Sequence, residues 1–291
     1  MRATRFLFCA LAIAALAVMA AGRLGANAAG CDTVVVTNDD VVRLPHGAAP
    51  APGTHWALYT RQNGTGDFVT GPATPPSGVG SLSLKTPGTI PNGSDKVYLF
   101  NYDHIGTELS SVNAISYSTY RDITSTATPV QAPALNIEVD FNGPEVAGGF
   151  TTLVFEPVYN TAQGPVIPGQ WQSWDAYSGG NAVWWSTKDI PGVCAFNCFV
   201  TWNQILAANP DATILGGFGV NQGGGNDGLI ANVDALKLGT ADSCVTYDFE
   251  PYRVATTKDA CKNGGWQSLR RADGSAFKNQ GQCVSYVEAG K

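Results

Sequence analysis

Basic charge, histidine and long apolar runs are all scarce in this 291-residue chain, and each shortage removes a class of function. His46, His55 and His104 are the only histidines; they form no His-x-x-x-His pair, and there is no Gly-x-Ser-x-Gly. The familiar zinc proteases and serine hydrolases are thereby unsupported. From Ala29 to Pro251 only 7 Lys/Arg stand against 20 Asp/Glu, a balance of −13. Such a surface repels phosphate, so nucleic acid is not expected as a partner. Gly223-Gly224-Gly225 is followed by Asn226-Asp227 and has no nearby Gly-Lys-Ser/Thr, so it is no Walker loop. A glycine-rich loop over a binding face is the simpler reading. No stretch beyond Ala21 is long and apolar enough to cross a bilayer, and no fixed-period repeat suggests a propeller or solenoid.

What is present begins with a leader. Arg2 and Arg5 precede the apolar run from Phe6 to Ala21, and Ala26-Asn27-Ala28 supplies a small-x-small cleavage site. This predicts a signal peptide over 1–28 and a secreted, extracellular or surface-associated product. Ala28-Ala29-Gly30-Cys31 is partly lipobox-like, but it lacks the bulky residue before the cysteine. Losing Cys9 with the leader leaves six cysteines, an even set that an oxidising compartment would pair. Of the 15 pairings open to six cysteines, sequence separation favours Cys31–Cys244, Cys194–Cys198 and Cys261–Cys283.

The region 29–251 reads as β throughout. Val34-Val35-Val36, Ser81 to Leu84, Val97 to Phe100 and Leu135 to Phe141 are short strand-like runs punctuated by Gly, Pro, Asn and Asp. The expectation is a mostly β, two-sheet antiparallel sandwich with one short helix, Trp202 to Ala208, capped by Thr201 and stopped by Pro210. Alternation from Leu135 to Phe141 turns Asn136, Glu138 and Asp140 away from the core. Glu156 joins them if the strand Thr151 to Pro157 pairs alongside. The region 252–291 is different in kind. It carries +4, and it reads as a small disulfide-linked helical hairpin, with helices at Lys258 to Asn263 and from a Ser275 cap towards Gly290.

Two stretches carry a likeness. Pro76-Ser77-Gly78-Val79-Gly80-Ser81-Leu82-Ser83-Leu84 and Tyr247-Asp248-Phe249-Glu250 resemble the glycine-rich entry and the acidic-aromatic closing strand of jelly-roll carbohydrate-binding modules of secreted bacterial proteins. The segments Cys261 to Trp266 and Phe277 to Cys283 resemble a small module found at the ends of exported soil-bacterial proteins. The first resemblance implies a two-sheet jelly roll, a structural calcium in many members, and sugar binding by aromatic residues. For calcium, Asp39, Asp40, Asp248 and Glu250 are the candidates, because first and last strands of a closed sandwich often lie side by side. Exposed turn acids at Asp39 and Asp40 are the competing reading.

Trp171, Trp174, Tyr177, Trp184 and Trp185 fall within fifteen residues, beside Asp175. Indole faces stack on sugar rings and carboxylates bind hydroxyls, so these six are the candidate ligand-binding residues. Strand parity sends about half of the rings to the core: Trp171 opposes Trp174, and Trp184 opposes Trp185. If the chain is an enzyme, Glu138, Asp140 and Glu156 are the carboxylates to use. Glu138-x-Asp140 resembles part of the nucleophile strand of laminarinase-like glucanases, but the further Glu of that pattern is replaced by Phe141-Asn142-Gly143. Three functions therefore stand open: a non-catalytic binder of an extracellular polysaccharide or cell-wall glycan, a jelly-roll glycoside hydrolase or polysaccharide lyase, and a structural or adhesion protein. Nothing in the sequence specifies an oligomeric state.

Overall fold

In the computed structural model the described residues are 30–89, 94–196 and 198–290. The leader 1–28, with Cys9, lies outside them. The strands are β1 (Asp32–Val36), β2 (Val41–Pro45), β3 (Trp56–Arg61), β4 (Thr65–Thr70), β5 (Gly80–Thr86), β6 (Lys96–Asn101), β7 (Val112–Arg121), β8 (Ala134–Asp140) and β9 (Phe150–Phe155). They continue with β10 (Trp171–Asp175), β11 (Val183–Ser186), β12 (Val200–Thr201), β13 (Thr213–Gly223), β14 (Leu229–Thr240), β15 (Cys244–Phe249), β16 (Arg253–Val254) and β17 (Leu269–Arg270). The two α-helices among the described residues are α1 (Trp202–Ala208) and α2 (Gln280–Glu288).

The strands form two large sheets. One runs β1-β15-β14-β5-β4, with β7 on the other side of β14 and β10 beyond β7; the second runs β12-β11-β9-β8-β13-β6-β3-β2. The core lies between them. Leu135, Ile137 and Val139 on β8, Leu153 and Phe155 on β9, and Val220 on β13 are fully buried in one cluster with Leu82, Val233 and Phe249 of the opposite sheet. Each such side chain contributes about 1.5–3 kcal/mol through its removal from water. The expected all-antiparallel pairing needs correction. β1 runs parallel to β15, and β2 parallel to β3. The three-residue turn Asn38–Asp40 sends the chain from one sheet to the other, so β1 and β2 are not a hairpin.

One strand changes partners midway. Residues Leu229–Val233 of β14 pair with β5, and Leu236–Gly239 pair with β15. Between them Ala235 takes a left-handed φ of 51°, and the register against β7 shifts. That is a β-bulge. The Asp234 carboxylate closes the gap, accepting from Phe249 N at 3.1 Å and Ser77 N at 2.9 Å.

Helix α1 has the expected cap, with Thr201 Oγ1 accepting from Gln204 N and the Gln204 side chain answering to Thr201 N. The tail departs from the helical-hairpin expectation. Residues 258–264 form turns, not a helix, and α2 starts at Gln280 behind an Asn279 cap, not at Ser275. Asn279 wins because its side-chain oxygen accepts from Gln282 N at 2.9 Å. A short parallel ladder, β16 with β17, completes the segment. Its own small core comprises Ala255, Cys261, Leu269, Phe277 and Cys283. The pairs Cys31–Cys244, Cys194–Cys198 and Cys261–Cys283 are disulfides.

Candidate functional site

The two adjacent tryptophan pairs are divided by the pleat. Trp174 and Trp184 are 1% and 0% exposed and sit in the main core. Their indole N–H groups are used internally, Trp174 donating to Thr119 Oγ1 and Trp184 to the Ala176 carbonyl. Both must be removed from the ligand-binding set, because a ring without an exposed face stacks on nothing. Trp171 remains half-buried, tilted against Tyr120 and donating to the Pro72 carbonyl. Asp175 caps its own turn, Oδ1 accepting from Tyr177 N and Ser178 N. Asp175 and Tyr177 border an open depression on the first sheet, where Trp174 offers no face.

Trp185 belongs to a better site. On the outer face of the second sheet a groove of about 580 Å³ is lined by Trp185, Phe196, Tyr159, Asn136, Asn221 and Glu156. That volume is ordinary for a ligand site. Arg61 and Lys96 close one end, and Gly223–Gly225 with Asn226 forms a wall. Pleat and register explain the assembly: Asn136 stands opposite Val154, Val154 opposite Trp185, and Asn221 opposite Tyr98, all on the face away from the core.

Within the groove the rings are set by polar contacts. Trp185 Nε1 donates to Glu156 Oε2 at 2.9 Å, and burial raises the Glu156 carboxyl above its ordinary range. Phe196 lies 5.4 Å from Trp185, centroid to centroid, and is 59% exposed. Phe196 holds a left-handed φ of 59°, which a bulky residue rarely adopts. The Cys194–Cys198 bridge brackets it, Ala195 N donates to Asp189 Oδ1, and Phe196 N donates to the Ser186 carbonyl. The short disulfide therefore fixes an aromatic at the rim. Asn136 Oδ1 and Asn221 Oδ1 are buried and have no hydrogen-bond partner. Such oxygens are costly unless something donates to them.

The three candidate catalytic carboxylates do share this sheet face, since Glu138 stands opposite Thr152 and Asp140 opposite Phe150. Glu138 and Glu156 do not form a pair suited to hydrolysis. Glu156 lies four residues along the neighbouring strand from the position opposite Glu138, about 13 Å away at strand rise. Glycosidase carboxyls sit about 5–10 Å apart. Glu138 instead lines a second depression of about 410 Å³ with Tyr59, Tyr98 and Tyr102. There burial raises its carboxyl and Gly217 N donates to Oε2 at 2.7 Å. Asp140 supports the following turn, accepting from Asn142 N.

The four calcium candidates are not brought together either. Asp40 is taken up by Arg253 and Thr37, and Asp39 is exposed in its turn. Asp248 and Glu250 lie with Asp234 beneath the loop Ser77–Gly80, where Glu250 Oε1 accepts from Val79 N and Gly80 N. Burial raises both carboxyls, and Asp248 Oδ1 and Glu250 Oε2 are buried without a hydrogen-bond partner. Among the described residues no three Asp, Glu, His or Cys side chains converge to hold a metal ion.

Phe196, Tyr159, Asn221, Lys96 and Arg61 were not among the sequence candidates. Alternation in Lys96-Val97-Tyr98-Leu99-Phe100 was the available signal for Lys96, since it places Lys96 with Tyr98 and Phe100. Compared with family models, curated proteins and solved structures, the chain matches none. No helix among the described residues is long and apolar enough to cross a membrane.

Proposed function

We propose that this is an exported, non-catalytic glycan-binding protein whose ligand lies in the groove on the outer face of the second sheet. The observation that carries the reading is the set Trp185, Phe196, Asn136 and Asn221. Two presented rings stand beside two buried amide oxygens that lack donors. Sugar C–H faces stack on such rings, and sugar hydroxyls are the donors the amides lack. Three disulfides support an oxidising destination. The separation of Glu138 from Glu156 weighs against a hydrolase.

The test is affinity electrophoresis of the mature chain on a panel of polysaccharides, run beside a reducing-sugar assay. Retardation without released ends is expected. Trp185→Ala abolishes retardation, whereas Trp171→Ala leaves it unchanged. Glu156→Gln keeps an acceptor for the indole and retains binding. Release of reducing ends that Glu156→Gln stops would overturn the non-catalytic reading, and failure to bind any glycan would overturn the site.

A further inference from the structure

The groove presents its rings to solvent and keeps its amides low. Phe196 and Tyr159 are exposed, whereas Asn136, Ala134 and Val154, which line the same groove, are buried. Asn136 stands opposite Val154 on β9, and Asn221 opposite Ala134 on β8, so each amide has a buried apolar side chain as its cross-strand neighbour. The two amides are also neighbours of each other. Asn136 faces Gly219, two residues before Asn221, and such diagonal positions lie about 7–8 Å apart. Both amide oxygens lack a hydrogen-bond partner. Turning either amide over would bury an NH₂ group in the same place, so each position calls for a partner in either orientation. The charges around them balance. Arg61 and Lys96, cross-strand partners on β3 and β6, close one end of the groove. Glu156 lies in the groove itself, and the Glu138 carboxylate on the same sheet face favours the charged form of Lys96. Two cations stand with two acids, so neither a uronate nor a free amino sugar is singled out.

The recognising element is therefore neutral: a side-chain amide set beside an apolar contact, and repeated. A sugar stacked on the exposed rings reaches the buried amides through a substituent that projects from its ring. A hydroxyl ends one bond from the ring carbon, whereas an acetamido group, with the bond lengths of a peptide, reaches about 3–4 Å beyond it. Its N–H and C=O satisfy a side-chain amide in either orientation, and its methyl group covers the apolar neighbour. A hydroxyl supplies the hydrogen bond but leaves Val154 or Ala134 uncovered. Two strand spacings, about 10 Å, separate β8, which carries Asn136, from β11, which carries Trp185. A ligand that reaches both amides and the indole is a chain of sugars, not a single ring.

Resting on the glycan-binding reading above, we infer that the ligand is a polysaccharide of N-acetylated amino sugars, with one acetamido group seated on Asn136 and Val154, another on Asn221 and Ala134, and the chain running towards Trp185. Chitin and the glycan strands of peptidoglycan are two sources of that chemistry.

The experiment is titration calorimetry of the mature wild-type chain, Asn136→Ala, Asn221→Ala and Trp185→Ala at physiological salt, where diffuse attraction between charges is screened. The probes are chitohexaose, the glucosamine hexamer, cellohexaose and peptide-free peptidoglycan glycan strands; the first three share one backbone and differ only at the second ring carbon. The expected result is that at least one N-acetylated probe binds about tenfold or more tightly than cellohexaose and the glucosamine hexamer, and the tighter of the two N-acetylated probes identifies the source. Asn136→Ala and Asn221→Ala each reduce that preference by about threefold or more, and thermal unfolding of both variants checks that the sheet persists. A preference that both substitutions leave intact would overturn the assignment to these amides. If cellohexaose binds as tightly as the N-acetylated probes and Trp185→Ala abolishes all binding, the acetamido inference fails and the glycan site stands. Tighter binding of the glucosamine hexamer than of chitohexaose also overturns the inference, as does binding of another polysaccharide of the panel when neither N-acetylated probe binds. If no probe binds and the polysaccharide panel is equally silent, the glycan reading itself fails.

Discussion

Replacing Asp234 by Asn should make the pH dependence of stability change in a calculable way. Asp234 is 0% exposed at the β14 bulge, and burial pushes its carboxyl up to about 7 against hydrogen bonds from Phe249, Ala235 and Ser77 and beside the Asp248 charge. In the unfolded chain it ionises near pH 4. Below about pH 4 both states hold the proton and the full stability is present. Between about pH 4 and 7 the unfolded state releases its proton first, so stability falls; above about pH 7 the loss is complete. Three pH units at about 1.4 kcal/mol each put the change at about 4 kcal/mol. Asp248 and Glu250, raised by the same burial, act with the same sign. Asp40 acts oppositely: burial works upward, but hydrogen bonds from Arg253 and Thr37 carry it below its ordinary value, so its contribution is lost as pH falls. The difference between wild type and Asp234→Asn isolates the one group. Both carboxylate oxygens accept from backbone N–H groups, so either orientation of an amide turns its NH₂ towards a donor. That costs about 1–3 kcal/mol at every pH. Urea unfolding followed by tryptophan fluorescence should therefore find the variant less stable at pH 4 and equal to or more stable than wild type at pH 8. A gap between the two that stays constant to within about 1 kcal/mol across that range would refute the reasoning.

Two further outcomes follow from the same structure. Gly78→Ala should destabilise by about 3 kcal/mol or more in the same unfolding assay, because Gly78 has φ 53° and an added Cβ collides with Glu250 Oε1 over a buried acid pair. Replacing Cys194 and Cys198 together by Ser should cost about 2 kcal/mol of stability, since the loop they close is short. The same double variant should lose glycan retardation more completely than stability, because it frees Phe196 from its strained rim position; unchanged retardation would show that the ring is not needed.

Much of the sandwich was legible because its strands carry a period-2 signal. Leu135, Ile137 and Val139 are core and Asn136 and Glu138 face outward, as alternation requires. The same parity separated Trp174 from Trp171 and Trp184 from Trp185. Thr201 as cap and Pro210 as stop announced α1, and sequence separation picked the three cysteine pairs present. What the sequence hid were relations between distant segments. Parallel pairing of β1 with β15 leaves no local trace, and neither does the opposition of Arg61 and Lys96 across a strand pair. Asp234 was missed because an acid inside an apolar strand looks like an outward residue until a bulge turns it inward. Phe196 was missed because its position depends on a disulfide loop and a backbone conformation that no propensity scale assigns to phenylalanine. In the tail, Ser275 was expected as the cap, but α2 starts behind Asn279, whose side-chain oxygen accepts from Gln282 N.

The bond between Cys31 and Cys244 has a mechanical meaning. Tension applied between Cys31 and the tail beyond Pro251 passes through the disulfide to Cys244, along β15, and out at Phe249. Everything between Cys31 and Cys244 hangs off that line as an unloaded loop, including every residue that lines the groove. A molecule tethered by its tail and pulled from its other end would thus keep the groove in shape under force, with the Arg253 to Asp40 ion pair clamping the exit point.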